Sequence, residues 1–286
     1  MSTCDIDFDL VDPRHIDAEF PSFEEYVLGD ISPTEKSEQE ELCASFEDYE
    51  NAVTPIPSNE WVEISRETEA QKAGNEWLMS RIMSQGREGS CVYNQLAQQL
   101  EVGQAKMFGK DNVILLSPIS GYQDMGRSPS SGSTVNGSMD YAKTKGLCPL
   151  DNAKNRELFG DAVMPHTGFY TRKPAGAYEA AANFKAHETY VIRTYEGLVT
   201  ALLRGDTVGV GREGHSIMYI RVAFKNDNVN SIMFIYPNSW DLSWGFACGP
   251  FKGGFGADTM RQGQKSAGWA FVVASMVDPS FRHKAA

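Results

Sequence analysis

The sequence predicts an α+β protein of two lobes, helical first and β-rich second. Three observations predict it. Good helix formers fill the stretch after Ser90. Short β-branched and aromatic runs parted by polar turns fill the C-terminal half. Pro55 and Pro57 separate both from an acidic N-terminal arm.

Taken in order, residues 91–101 predict a helix with Ser90 as its N-cap. Residues 126–137 form a Ser/Gly loop. A short helix is expected over 138–145, stopped by Gly146, and another over 195–203, ended by Gly205. Residues 207–211, 215–224, 231–236 and 269–275 read as strands. The turn Lys225-Asn226-Asp227-Asn228 between the second and third is hairpin chemistry. No internal repeat is evident, and the expected division is an arm over 1–57 and a globular domain over 58–286.

The chain has 286 residues, 41% hydrophobic and 11% aromatic, enough to bury a core. Its charge of -12 is uneven: residues 1–60 hold 17 acids and 2 bases, the remainder 21 acids and 24 bases. The acidic arm would repel phosphates and no basic stripe compensates, so nucleic acid is excluded as a partner. No stretch approaches the roughly 18 to 20 consecutive apolar residues of a membrane span. The first residues lack the basic start and apolar run of a secretory signal. The arm also carries Phe8, Leu10, Phe20, Phe23, Tyr26, Phe46 and Tyr49, so it is expected to act as a propeptide-like cover or as a docking segment for a protein partner.

Five cysteines, Cys4, Cys43, Cys91, Cys148 and Cys248, are scattered with no CxxC pair, which supports neither a zinc ribbon nor a thioredoxin motif. Free thiols fit a reducing compartment, the cytoplasm or an intracellular assembly. The five histidines show no metal-ligand spacing, and no cofactor is implied.

One cysteine stands apart. In Gln85-Gly-Arg-Glu-Gly-Ser-Cys91, the cysteine opens a helix, where the macrodipole and unpaired N–H groups favour a thiolate. Gly86 and Gly89 let backbone approach a substrate, and the Cys91 N–H with the Gln85 amide can form a two-donor oxyanion hole. A thiol nucleophile needs a base, and the base an orienter. His215 begins an apolar strand after Gly214. The returning strand ends in Pro237-Asn238-Ser239-Trp240-Asp-Leu-Ser-Trp244-Gly245. If the two strands pair, His215 and Asn238 meet at one end of the hairpin, with Trp240 shielding their bond from water.

In order and spacing, these motifs resemble the papain family of cysteine peptidases. His215 and Asn238 follow Cys91 by 124 and 147 residues, close to the about 130 to 150 residues of papain-type enzymes. Leu116-Ser117, Asn136-Gly137 and Gly146 resemble the family's middle section, and the resemblance covers approximately residues 55–275. It implies a papain-like two-lobe fold, with a helical lobe carrying the cysteine and a β-barrel-like lobe carrying the histidine. It implies that Gln85 and Cys91 supply the oxyanion hole, that Cys91 and His215 form a thiolate–imidazolium pair, that Asn238 orients His215, and that Trp240 and Trp244 support it. Substrate backbone would bind a loop at Asn136, Gly137 and Ser138, with Gly89 and Gly214 lining the cleft.

The chain departs from the family pattern in places. Arg87-Glu88 stands where a second cysteine is usual, Val92 where a tryptophan follows the nucleophile, Ser138 for a second glycine and Asp241 for the glycine after Asn-Ser-Trp. The family's disulfides are missing. The residues therefore serve three readings: a thiol endopeptidase acting on peptides or proteins, an amidase or transferase with the same dyad, or a weak or inactive binding component of a larger assembly such as a virion.

Other motifs are weaker. Gly209-Val-Gly211-Arg-Glu-Gly214 matches a dinucleotide fingerprint, but a strand follows where a helix is needed, so a glycine-rich turn is expected. Asn136-Gly-Ser138 matches a glycosylation acceptor, expected to be unused. Gly253-Gly254-Phe255-Gly256 reads as a flexible surface loop.

Overall fold

In the computed structural model, which describes residues 6–19, 54–212, 214–268 and 270–276, helices gather in the first half of the chain and strands in the second. The helices are α1 (Trp61–Ala70), α2 (Cys91–Phe108), α3 (Pro118–Met125), α4 (Val135–Thr144), α5 (Ala153–Phe159), α6 (Ala177–Ala181), α7 (Tyr195–Leu203) and α8 (Met260–Ser266). Helix α7 has the predicted bounds for local reasons. Thr194 accepts from the Gly197 N–H at 3.0 Å, and Gly205, with φ of +85°, releases the chain. Helix α2 starts where expected but runs on to Gly109, because its second half is also buried.

Two antiparallel four-stranded sheets make the second lobe. One has the order β1 (Ala186–Ile192), β8 (Ala270–Met276), β2 (Val208–Arg212), β3 (His215–Tyr219). The other has the order β4 (Arg221–Phe224), β5 (Ile232–Pro237), β7 (Phe251–Thr259), β6 (Phe246–Cys248). The run predicted as a single strand over 215–224 is shared between them: β3 pairs with β2, β4 pairs with β5, and the Ile220 N–H bridges to Ile235 O at 2.9 Å. This change of sheet curls the lobe around Val208, Val210, Ile217, Tyr219, Phe234 and Val272, all fully buried or within 1% of it. The helical lobe has its own core of Tyr93, Leu96, Leu100, Ile119 and Tyr122 around α2.

Two expectations change. Residues 253–256, read as a surface loop, lie inside β7, and their glycines are spaces left for neighbours. A Cβ at Gly256 would fall 2.6 Å from the Tyr236 ring and 2.7 Å from Trp244, and Gly254 (φ +92°) faces Ile82. The fingerprint at 209–214 is a hairpin, as expected. Arg212 pairs with His215 across the turn containing Gly214 (φ +74°), and no helix follows.

The arm is not uniform. Residues 6–19 lie on the β lobe, with Ile6, Phe8 and Ile16 against a cluster that includes Met79, Phe255 and Ala257. Ile16 forms a parallel bridge to Ala257, and the Asp17 N–H donates to Ala257 O at 2.9 Å. The Asp17 carboxylate accepts from the Thr259 N–H and hydroxyl, each at 2.7 Å, capping the entry to α8. Ile56 is also docked, its N–H donating to Thr200 Oγ1 at 3.0 Å. Residues 20–53, which carry Phe20, Phe23, Tyr26, Phe46 and Tyr49, lie outside the described residues. Among those described, no helix is long and apolar enough to cross a membrane.

Replacing Asp17 by Ala removes two charge-assisted hydrogen bonds and is expected to lower unfolding free energy by about 1–2 kcal/mol. A urea titration reads this as an earlier midpoint at unchanged slope; an unmoved midpoint would mean that residues 6–19 do not dock in solution.

Candidate active site

Cys91 is the first residue of α2 and is fully buried. Ser90 takes the cap position as predicted, but not by the predicted bond: its hydroxyl caps no first-turn N–H and instead accepts from Asn94 Nδ2 at 3.0 Å. The first-turn amides thus keep their dipole directed at the space before Cys91. Helix α2 packs directly on β3. One turn below Cys91, Gln95 Oε1 accepts from the Ser216 hydroxyl at 3.3 Å, which brings the His215 end of β3 to the Cys91 end of the helix. Gly209 allows this approach, since a Cβ there would lie 2.2 Å from Gln95 Nε2.

His215 is fully buried, and its Nε2 meets Asn238 Oδ1 at 2.8 Å. Asn238 Oδ1 also accepts from the Ser239 N–H at 2.7 Å, which fixes the amide so that its oxygen faces the imidazole. Trp240 lies over the ring, centroids 5.2 Å apart and tilted by 32°. Trp244 meets Trp240 edge-on at 5.8 Å, and His15 of the N-terminal segment meets Trp244 at 5.0 Å.

The loop before Cys91 is sewn to the loop after Asn238. The Gln85 N–H donates to Ser239 O at 2.9 Å, the Asp241 N–H to Met83 O at 3.1 Å, and Ser84 and Trp240 form an antiparallel bridge. The Ser239 hydroxyl donates to Gln85 Oε1, so the other end of that amide is its donor end; Nε2 reaches Glu88 O at 2.9 Å. Gln85, Cys91, His215 and Asn238 are each at 0% exposure. In effect, the side-chain contact of α2 with β3 and the backbone seam of 83–85 with 239–241 gather four residues from distant parts of the chain.

Burial pushes the His215 imidazole down to about 4; the Asn238 acceptor opposes this and the Arg212 charge adds to it. Burial thus favours the neutral ring. Behind the hairpin, Arg212 pairs with Asp258 at 3.0 Å, and Asp258 accepts from the Tyr219 hydroxyl at 2.6 Å. Burial raises Asp258 to about 6 against the pull of Arg212. Arg212 also donates to Ala18 O at 3.2 Å, tying the N-terminal segment to the strand next to His215.

The other predicted site residues fall differently. The loop expected at Asn136, Gly137 and Ser138 is the first turn of α4, which starts three residues earlier than predicted. Thr134 caps it by accepting from the Gly137 N–H at 3.1 Å, and the Ser138 N–H donates to Thr134 O at 3.1 Å. With those amides used by the helix, the irregular backbone is residues 126–134 instead. Gly137 lines a pocket of about 420 Å³ with Asp124, Asp140, Tyr141 and Tyr178, which contains none of Gln85, Cys91, His215 or Asn238. Gly89 is buried, its N–H donating to Pro129 O at 2.7 Å, and Gly214 is a half-buried turn residue beside His215. Ser239, Glu88 and Gln95 were not singled out, because their roles are contacts with remote segments. Among the described residues Cys91, Cys148 and Cys248 form no disulfide, and no group of three His, Cys, Asp or Glu could hold a metal.

No family model matches the sequence, and no curated protein matches it. Solved structures do. Xylellain, a cysteine protease from Xylella fastidiosa, aligns with a TM-score of 0.59 at 15% identity, covering 91% of this chain and 99% of that one. Digestive procathepsin L2 from Tenebrio molitor larval midgut aligns at 0.58 and 13%, covering 88% and 78%. Procathepsin L 3 of the same larval midgut aligns at 0.52 and 14%, covering 72% and 68%. With helices carrying Cys91, a two-sheet lobe carrying His215, and these structural counterparts, the chain has the papain-like α+β fold.

Proposed function

We propose that the protein is a cysteine peptidase that hydrolyses peptide bonds through Cys91, His215 and Asn238, with Gln85 as an oxyanion donor. The observation that carries the proposal is the buried His215–Asn238 hydrogen bond of 2.8 Å, roofed by Trp240, on a strand packed against the helix that begins at Cys91. The likeness of fold to cysteine proteases supports the same reading.

Asn238 engages Nε2, so the acid–base work falls to Nδ1. The neutral ring takes the Cys91 proton as Sγ attacks the substrate carbonyl carbon. The carbonyl oxygen becomes an oxyanion held by the Cys91 N–H, at the positive end of α2, and by the second Nε2 hydrogen of Gln85. Collapse of that intermediate breaks the C–N bond, and the imidazolium gives its proton to the leaving amine. Water, deprotonated by the same ring, then hydrolyses the thioester and returns the thiol. Asn238 holds the ring in the tautomer and orientation that both halves need. Trp240 keeps water from the His215–Asn238 bond.

Cys91→Ala is expected to abolish both peptide cleavage and labelling by a thiol-reactive epoxide, with an unchanged unfolding midpoint. A wild-type protein that folds but neither cleaves nor labels would overturn the proposal in favour of the binding-component reading.

The pH profile carries a second outcome. The folded His215 pKa, about 4, lies below the ordinary 6.5, so the base form persists down to that value. The acid limb of kcat/KM should therefore lie near 4, and Asn238→Ala, which removes the interaction that raises this pKa, should move the limb lower while reducing kcat. Stability follows the same sign. Between pH 6.5 and 4 the unfolded chain binds a proton that the folded chain refuses, so stability falls as pH falls through that window. A limb near 6.5 would show that the imidazole is not held neutral by burial.

A further inference from the structure

We infer that Glu88 is a positioning residue for the oxyanion site, an electrostatic staple holding the Gln85–Cys91 loop in working geometry. The inference rests on the peptidase reading of Gln85 and Cys91 and extends it to a residue that touches no substrate.

Glu88 Oε1 accepts two backbone hydrogen bonds, from Gly168 N at 3.0 Å and Phe169 N at 2.8 Å, across 80 residues of sequence. A carboxylate receiving two converging N–H groups is the strong, charge-assisted kind of contact. Its receiver is itself immobilised. The Gln123 amide donates to Phe169 O at 2.6 Å and Thr171 O at 2.7 Å, and the Phe169 ring packs edge-on against Tyr122 at 5.3 Å. The staple therefore joins the loop to a fixed part of the helical lobe.

What the staple holds is Gln85. The Glu88 N–H donates to Gln85 O at 3.3 Å, and Gln85 Nε2 returns a bond to Glu88 O at 2.9 Å. The Gln85 side chain and the Glu88 backbone thus form one closed unit, turned at Gly86 (φ +59°). On its other side this unit is fixed by Ser239, and three residues later the chain enters α2 at Cys91. Without the Glu88 carboxylate the loop loses its tie to residues 168–169, which lets the Gln85 donor shift relative to Sγ. Glu88 stands where the family resemblance would place a second cysteine, so a charged hydrogen-bond pair secures this loop without a covalent link.

The test compares Glu88→Ala and Glu88→Gln in the full chain, using a peptidyl amide substrate and, separately, iodoacetamide. Alkylation by iodoacetamide displaces iodide at carbon and forms no oxyanion, so it reports Cys91 without the hole. Glu88→Ala should lower kcat by about tenfold or more while KM and the alkylation rate stay within about twofold. Glu88→Gln keeps a carbonyl oxygen to accept both N–H groups but loses the charge, so its kcat should fall between wild type and the Ala variant. Hydrogen exchange at the Gly168 and Phe169 amides should accelerate in the Ala variant only. An Ala variant with wild-type kcat overturns the inference, as does one that loses kcat and alkylation together, which is general damage. Wild type that alkylates at Cys91 but cleaves nothing overturns the peptidase reading itself, and with it this role.

Discussion

The site depends first on the seam between residues 83–85 and 239–241. Two backbone hydrogen bonds, Gln85 N–H to Ser239 O and Asp241 N–H to Met83 O, join loops 154 to 158 residues apart in sequence. Each loop carries one half of the candidate site. One leads into Cys91, and the other leaves from Asn238, which grips His215. The Ser239 hydroxyl on Gln85 Oε1 then orients the amide whose nitrogen is the proposed oxyanion donor. Backbone bonds set this register more firmly than side-chain contacts would, because a slip of one residue would turn every side chain on the seam away from its partner.

A second junction runs beneath the first. The glutamines of α2 form a buried polar ladder: Gln95 takes the Ser216 hydroxyl and donates to Gln99 Oε1, and Gln99 Nε2 donates to Thr207 O at 3.1 Å and Phe271 O at 3.3 Å. Cys91, Gln95 and Gln99 are spaced i, i+4, i+8, on one face of the helix. An apolar face could slide along the sheet at little cost. A ladder of buried amides has one arrangement that satisfies it, and others leave donors or acceptors unmade at about 1–3 kcal/mol each. Polar burial here trades some stability for a fixed helix-to-strand distance, which the proposed proton transfer between Cys91 and His215 would require.

The sequence marked the candidate residues more clearly than the contacts that hold them. Gln85, Cys91, His215 and Asn238 stand out because the proposed chemistry would impose residue type, order and spacing. Helix α7 and strand β2 are visible because caps and β-branched runs are local signals. Strand β7 was not legible: its glycines at 253, 254 and 256 exist to admit Ile82, Tyr236 and Trp244, which are remote in sequence. The start of α4 was missed because a Gly-Ser-rich composition outweighed Thr134, the residue that caps it. Glu88 looked like a mere loss of the expected cysteine; its two amide donors come from Gly168 and Phe169, and no local pattern announces them.

Acidic composition says little about residues 6–19 of the N-terminal arm. Charge balance alone describes residues 6–19 as a solvated segment, yet they bury Val11 and Ala18 and place Ile6, Phe8 and Ile16 on the β lobe. Asp17 is there as a ligand for Thr259, which is why an acid belongs at that point. The segment also reaches the surroundings of His215 twice. His15 backs Trp244, which backs the Trp240 roof over His215, and Arg212 holds Ala18 O while pairing with Asp258 behind the hairpin. Removing residues 6–19 would strip one face of the tryptophan stack and deprive Arg212 of an acceptor, so it would disturb the site instead of uncovering it. Residues 6–19 thus belong structurally to the lobe that carries the histidine.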